Sequence, residues 1–259
     1  MLKIGVFDSG LGGLTVVQTL NQVIKGAEIF YIADTKNAPY GEKTTEQILQ
    51  YSLDITKYFI EKHNIDALVV ACNTATSAAI KTLREKYPNL LIVGTEPALK
   101  PAIEQTYTGK VGVLATPATL RGDKYQALVE KLSSSKKVKL FEQACPGLVE
   151  HIEKGTLESK ESIAMLDVWL TSMREVDVDT IVLGCTHYPL ASKVIKDMMQ
   201  REVVLLDSSR AIAQRLLTLL LNKGHKNEGE LILEFYTTGS IDEAFVYELV
   251  KSSIELIVL

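Results

Sequence analysis

Short apolar runs recur along the chain, and between them apolar residues return every three or four positions. The runs are rich in Val, Ile and Leu and are continuous, which is typical of parallel strands covered by helices on both faces. They predict strands at residues 3–7, 28–33, 67–71, 90–94, 110–114, 180–184 and 203–207. The helical spacing, with Gly224 as a C-cap, predicts helices over Thr45 to Lys62, Glu161 to Arg174 and Ser209 to Lys223.

This pattern occurs twice. KIGV at residues 3–6 returns as KVGV at residues 110–113, and the apolar run before Cys72 returns before Cys185, 113 positions later. Markers in the same order at nearly one offset predict two similar α/β domains with mainly parallel sheets flanked by helices. The two prolines of TEPALKP favour a crossing between domains there. We expect a first domain from residues 1–97 plus 208–259, and a second from residues 98–207.

Composition narrows the class of protein. The chain has 259 residues, a net charge of −4 and no basic stripe, so neither nucleic acid nor a membrane surface is an expected partner. It shows no signal-peptide pattern and no apolar stretch near the ~20 residues of a membrane-spanning helix, so we expect a cytoplasmic protein. Three widely spaced cysteines without a CxxC pair argue against disulfides and a metal site. GLGG at residues 10–13 fits neither a dinucleotide-binding nor a nucleotide-triphosphate-binding motif, and a glycine-rich anion loop stays open.

Two of the three cysteines, Cys72 and Cys185, follow predicted strands. Ligands of open parallel sheets bind beyond such strand ends, so cysteines from two domains facing across a cleft would reach one ligand from opposite sides. Thiols, with a reference pKa of ~8.5, suit removal of a proton from one face of a carbon and delivery to the other. Asp8 and His187 are expected to exchange protons beside them. A lone strand-end cysteine is usually a small buried hydrophobe, but its repetition favours catalysis.

Polar residues next to Asp8 and the cysteines predict a receptor for a small zwitterion. These are Ser9, Asn73, Thr74, Thr186 and His187. Ser, Thr and Asn also cap helices, and the two roles are compatible. The turn of Pro39, Tyr40 and Gly41 can close over a site, although its spacing alone favours an ordinary surface turn. The other histidines, His63, His151 and His225, are predicted to lie at the surface.

Together these residues resemble the glutamate racemases of the aspartate/glutamate racemase superfamily. The matching segments cover nearly the whole chain and include GVFDSGLGGLTV, PYG, VVACNTA, VGVLATPAT, ACPGLVEHIEKG, LGCTHYPL and LDSS. The resemblance implies a cofactor-independent isomerase that interconverts L-glutamate and D-glutamate with two cysteines. It also implies that the enzyme supplies D-glutamate for peptidoglycan and forms a homodimer.

By matched motif, the resemblance implies that Cys72 and Cys185 are the catalytic pair. Asp8 then assists Cys72, while His187 and Glu153 serve Cys185. The residues expected to contact substrate are Asp8, Ser9, Pro39, Tyr40, Gly41, Asn73, Thr74, Thr116, Thr119, Thr186 and His187.

One segment departs from the family. CPGLVEHIEKG stands where the family usually has CPLFVPLVEEG, so Glu150 replaces a proline and Lys154 replaces a glutamate. Alignment on Cys145 and Gly155 selects Glu153 as the functional carboxylate, with Glu150 as the alternative.

Three other functions fit parts of the pattern. A racemase of another small amino acid, such as aspartate, would use the same residues. A Cys/His hydrolase would use Cys185 and His187 but has no need of Cys72. A non-catalytic amino-acid-binding protein would bind glutamate without exchanging its α-proton.

Overall fold

The computed structural model describes residues 1–133, 138–250 and 256–259. The chain divides into two compact units, Met1–Thr95 with Ser209–Leu259, and Glu96–Ser208. The sequence pattern predicts the corresponding limits after residues 97 and 207. In the described part of the chain, every helix is too short or too polar to cross a membrane.

The described residues form ten strands and eleven α-helices. The strands are β1 Leu2–Asp8, β2 Ala27–Ala33, β3 Ala67–Val70, β4 Leu91–Gly94, β5 Lys110–Ala115, β6 Lys139–Ala144, β7 Thr180–Gly184, β8 Val204–Leu206, β9 Leu231–Thr237 and β10 Leu256–Val258. The helices are α1 Leu14–Val23, α2 Thr45–Tyr58, α3 Asn73–Lys86, α4 Leu99–Gln105, α5 Pro117–Arg121, α6 Asp123–Ser133, α7 Leu148–Glu153, α8 Lys160–Glu175, α9 Ser192–Met199, α10 Ser209–Asn222 and α11 Glu243–Val250. Short 3₁₀ turns span Thr35–Asn37, Tyr40–Glu42 and Tyr188–Ala191, and a π-helical turn spans Phe59–His63.

The first unit contains a parallel sheet in the order β10-β9-β2-β1-β3-β4. Both of its faces are covered. Ile4 and Val6 of β1 point into one apolar cluster with α1 and α10, whereas Phe7 points into a second cluster with α2 and α3. Because successive side chains alternate between two buried faces, the strand is apolar throughout rather than at every second residue.

The second unit contains a smaller parallel sheet in the order β6-β5-β7-β8. The order β2-β1-β3-β4 in the first sheet is the same arrangement of consecutive strands. The predicted fold of two similar parallel α/β domains is therefore confirmed.

All seven predicted strands are present, but the sequence pattern missed β6, β9 and β10. Strand β6 has no fully buried residue, β9 is half-exposed with Glu234 in its middle, and β10 is only three residues long. Strands with an incompletely covered face do not need a continuous apolar run, so they lack the signal that identified the others.

Two local predictions needed correction. The helix predicted over Thr45 to Lys62 ends at Tyr58 and continues only as the π-helical turn. His63 is not a surface residue, because its ring is half-buried and its centroid lies 3.9 Å from that of Phe30 and 5.3 Å from that of Tyr236. Gly224 follows α10 with a φ of +90°, as a C-cap glycine does.

Candidate active site

Asp8 and Cys72 lie at the carboxyl ends of neighbouring strands. Strand β1 pairs with β3, and the N–H of Ala71 donates to the carbonyl of Phe7 at 2.9 Å, which fixes the register at this edge. Asp8 is fully buried, and its Oδ2 accepts the N–H of Gly10 at 3.1 Å. Because parallel strands end together, these acidic and thiol side chains come to the same edge of the sheet.

Cys72 occupies the N-cap of α3. Its Sγ accepts the N–H of Ala75 at 3.4 Å and lies 3.8 Å from the hydroxyl of Ser9. This is the position normally taken by Ser, Thr, Asp or Asn. A helix start presents backbone N–H groups and the positive end of the helix dipole to the group at its cap.

The glycine-rich loop after β1 is shaped by close packing. A Cβ on Gly13 would lie 2.6 Å from Cβ of Asp8 and 2.8 Å from Oη of Tyr31. The hydroxyl of Tyr31 donates to the carbonyl of Gly10 at 2.6 Å. The glycine at this position allows the start of α1 to approach Asp8, so its presence needs no nucleotide ligand.

The turn that contains Pro39, Tyr40 and Gly41 is held against the first unit. Tyr40 is only 1% exposed, and its hydroxyl donates to Oδ2 of Asp34 at 2.5 Å. Burial and the neighbouring Asp34 raise the pKa of Tyr40 well above its usual value, with smaller contributions from Cys72 and Asp8. The interpretation of an ordinary surface turn is therefore wrong.

Cys185 follows β7 in the second unit and has a different neighbour. Its Sγ lies 3.8 Å from Nδ1 of His187, and Nε2 of His187 lies 2.8 Å from Oε1 of Glu153. His187 is 1% exposed and Cys185 8%. When Nε2–H donates to the carboxylate, the neutral ring leaves Nδ1 as an acceptor towards the thiol, so the arrangement can receive and return a proton.

Glu153 and Glu150 lie on the same short helix, α7, which places Glu153 at its last position. Glu153 forms the contact with His187. The charge of Glu150 acts on another residue: burial, and to a smaller degree Glu150, raises the pKa of the Tyr188 hydroxyl. The geometry therefore favours the glutamate selected by the alignment with the family.

The remaining predicted substrate residues lie at strand ends and helix starts. Thr116 follows β5 and caps α5, and its hydroxyl donates to that of Thr119 at 2.9 Å. Both threonines and Thr186 are buried. Asn73 and Thr74 begin α3, and within the described residues Nδ2 of Asn73 is buried without a hydrogen-bond partner. A buried amide of this kind is suited to donate to a ligand.

The third cysteine, Cys145, has a structural environment. It is buried, its N–H donates to the carbonyl of Ala115 at 2.9 Å, and its carbonyl accepts the hydroxyl of Tyr188 at 3.2 Å. Burial, with a smaller contribution from Cys185, raises the pKa of Cys145 to about 12. This thiol therefore remains protonated near neutrality.

Asp34 and Thr238 are not among the site residues predicted from the sequence. Asp34 directly follows β2 and is 1% exposed, and its Oδ1 accepts the hydroxyl of Thr238 at 2.7 Å. An acidic residue immediately after an apolar run, as at Asp8, is the signal that identifies Asp34 in the sequence. No comparable signal marks Thr238.

The family comparison covers most of the chain. Residues 4–216 match the model described as Asp/Glu/Hydantoin racemase. The chain belongs to this racemase family. The predicted resemblance to the superfamily is thereby confirmed.

Individual relatives of this racemase-family chain agree with the family match. A glutamate racemase of Sulfurovum sp. (strain NBC37-1) is 61% identical over 96% of this chain and 94% of its own length. A solved glutamate racemase isoform of Bacillus anthracis is 30% identical, with a TM-score of 0.88 over 100% of this chain and 97% of that one. A glutamate racemase of Escherichia coli, solved in complex with L-glutamate and the activator UDP-MurNAc-Ala, is 28% identical, with a TM-score of 0.85 over 99% and 97% of the two chains.

Proposed function

We propose that this chain is a glutamate racemase that interconverts L-glutamate and D-glutamate by a two-base proton transfer without a cofactor. One observation carries the proposal: Cys72 and Cys185 follow equivalent strands, β3 and β7, in the four-strand order that both sheets share, Cys72 at the sheet edge where Asp8 ends β1 and Cys185 beside His187. The relative that is 61% identical bears the name glutamate racemase. Equivalent thiols with separate proton partners suit a reaction that exchanges their roles.

In the proposed forward reaction, Cys185 acts as a thiolate and removes the α-proton of L-glutamate. The electron pair remains on the substrate as a carbanion, which hydrogen bonds to its α-carboxylate stabilise. Cys72, as a thiol, then delivers a proton to the opposite face and gives D-glutamate. The reverse reaction uses the same groups with exchanged protonation states.

The side chains next to the two cysteines would accept and return these protons. His187 holds Nδ1 towards Cys185, and Glu153 orients the ring through Nε2. Asp8 is the corresponding acidic group on the side of Cys72. The His187–Glu153 pair would therefore return the proton to Cys185, and the carboxyl group of Asp8 would do so for Cys72.

Substrate binding would use the polar groups at the strand ends. Nδ2 of Asn73, which has no partner within the described residues, is available to donate to a carboxylate of glutamate. Ser9, Thr74, Thr116 and Thr186 offer hydroxyls or backbone N–H groups with the same preference. The remaining predicted contacts come from Thr119, His187, Asp8 and the turn at Pro39, Tyr40 and Gly41.

Proton NMR of L-glutamate with the purified protein in D₂O, without added cofactor, tests the proposal. We expect the α-proton signal to disappear while circular dichroism shows the optical activity decaying to zero. Unchanged glutamate, with folded protein and reduced thiols, would overturn the proposal and leave the binding-protein function. Faster exchange of L-aspartate would assign another substrate, and a covalent acyl-enzyme seen by mass spectrometry would favour a hydrolase.

The family resemblance further suggests the cellular context. We propose that the product, D-glutamate, is used for peptidoglycan, that the protein acts in the cytoplasm and that it forms a homodimer. Sedimentation of the purified protein would test the last point.

A further inference from the structure

Asp34 is a buried carboxylate next to Asp8. It follows β2 directly, and its N–H donates to the carbonyl of Asp8 at 2.9 Å, so the ends of β1 and β2 are joined at this residue. Its side chain is 1% exposed. A buried carboxyl group has a large cost of desolvation unless hydrogen bonds replace water.

Three uncharged side chains supply those hydrogen bonds. Oδ2 accepts from the hydroxyl of Tyr40 at 2.5 Å and from Nδ2 of Asn37 at 3.0 Å. Oδ1 accepts from the hydroxyl of Thr238 at 2.7 Å and from Nδ2 of Asn37 at 3.1 Å. Both oxygens therefore accept two hydrogen bonds, and every donor except Thr238 belongs to the loop that Asp34 begins.

Thr238 connects this loop to the chain that returns after α10. Its N–H donates to the carbonyl of Ala33 at 3.1 Å, and its Oγ1 accepts the N–H of Lys36 at 3.1 Å. The hydroxyls of Thr35 and Thr237 are 2.8 Å apart. The family match ends at residue 216, so this support comes from the part of the chain beyond it.

Tyr40 links the turn at residues 39–41 to Asp34 through its hydrogen bond to the carboxylate. Its ring belongs to the same buried apolar cluster as Cys72, and its centroid lies 5.7 Å from that of Tyr51. A change of the Tyr40 side chain to another χ1 rotamer would move the hydroxyl away and break its short hydrogen bond to the carboxylate. The backbone of the turn is thus held from one side by apolar packing and from the other by Asp34.

We propose that Asp34, supported by Thr238, is a positioning residue that holds the Pro39–Tyr40–Gly41 turn in its substrate-binding conformation on the Cys72 side of the racemase. The inference rests on the proposed function. Asp34 acts through Tyr40 and does not itself contact the reacting atoms. Its expected effect is on the binding of glutamate.

Steady-state kinetics of Asp34→Asn with L-glutamate and D-glutamate test the proposal. The amide presents N–H groups to donors, so it breaks the network while keeping the shape of the side chain. We expect KM to rise at least about fivefold and kcat/KM to fall about 10- to 100-fold, as for loss of a hydrogen bond to a charged group. In the double variant with Tyr40→Phe, the loss should be no larger than in Asp34→Asn alone, because both changes remove one interaction.

Thr238 provides a second and gentler test. Thr238→Val removes the hydroxyl at constant shape and should raise KM, whereas Thr238→Ser keeps the hydroxyl and should remain within about twofold of the unchanged protein. This pair keeps the proposal testable if Asp34→Asn fails to fold. Equal kinetics for Thr238→Val and Thr238→Ser would overturn the role of Thr238.

Asp66→Asn is the control at a different hydrogen-bonded carboxylate: Oδ2 of Asp66 accepts the N–H of Lys3 at 2.8 Å, at the start of β1 rather than at its carboxyl end. It should leave KM unchanged. A merely structural role of Asp34 would lower the folded fraction and kcat but not KM, and that result would contradict the inference. If the wild-type protein racemises glutamate and Asp34→Asn has the same KM and kcat/KM, the inference alone is rejected. If the wild-type protein does not racemise glutamate, the proposed function is rejected as well.

Discussion

The two cysteine sites occupy the same place in their sheets but have different surroundings. Cys72 follows β3 and caps the long helix α3, where its Sγ accepts a backbone N–H. Cys185 follows β7 and precedes only the short 3₁₀ turn Tyr188–Ala191, and its Sγ faces the imidazole of His187. The repeated topology therefore determines where the sulfurs lie, while local residues determine which polar groups each sulfur faces.

This difference suits the proposed reaction. In a two-base racemase one sulfur is a thiolate while the other is a thiol, and the two exchange these states between the two directions of the reaction, so each site needs its own partner for the proton. A helix N-terminus favours an anion through N–H groups that cannot themselves change charge. A His–Glu pair can accept or release a proton. Substitutions that affect one site alone can separate these contributions.

The largest expected effect follows from replacing either sulfur. Cys72→Ser and Cys185→Ser should each lower kcat about 10²- to 10⁴-fold, because a positioned acid or base is lost. Cys145→Ala, which removes the structural thiol, should keep kcat close to that of the unchanged protein. Full racemase activity of either serine variant, measured by circular dichroism, would show that the two sites are not a catalytic pair.

Alkylation distinguishes the two candidate catalytic thiols from the third cysteine. With a pKa of about 12, Cys145 is a thiolate in only about one molecule in ten thousand at pH 8. We expect iodoacetamide to label Cys145 at least about 100-fold more slowly than Cys72 and Cys185, with D-glutamate protecting the latter two. Peptide mass spectrometry measures the rates. Rapid labelling of Cys145 in native protein would contradict its assignment as a structural thiol.

The carboxylate on the Cys185 side provides a smaller test. Glu153→Gln should lower kcat about 10- to 100-fold, the range expected for loss of a hydrogen bond to a charged group. Glu150→Gln, on the same helix, is the matched control and should change kcat less than about twofold. Equal losses in the two variants would indicate a general effect of charge in α7 rather than the specific contact with His187.

The smallest expected effect concerns His63, a half-buried histidine of the first domain. Burial lowers the pKa of His63 below its ordinary value of about 6.5, an effect that the charge of Glu234 opposes. Below pH 6.5 the unfolded chain therefore binds more protons than the folded one, so stability is lost as the pH falls. His63→Phe should reduce this loss.

Urea unfolding at pH 7.5 and pH 5.5 measures the effect of His63. The urea midpoint of the unchanged protein should fall more between these values than that of His63→Phe. Parallel decreases in both proteins would mean that other groups cause the pH dependence.

Most of the fold, and part of the candidate site, could be predicted from the sequence. Strands with both faces buried, such as β1 and β7, are continuously apolar and were predicted. Strands β6 and β10 were not, because β6 has no fully buried residue and β10 is only three residues long. Cys72 and Cys185 were identified from their repeated place after buried strands. Glu153 required the family resemblance, since one glutamate in a helical segment carries no distinguishing pattern.

By itself, the sequence determined the α/β repeat, the two cysteines and the polar residues beside them, because periodicity and position after a strand are local properties of the chain. Only the tertiary structure decided that Glu153 contacts His187, 34 positions away, and that Thr238 supports Asp34, 204 positions away. These contacts depend on which strands become neighbours and on which helix returns to which sheet. Side chains so far apart in sequence meet through the packing of the whole domain, and no short segment specifies that arrangement.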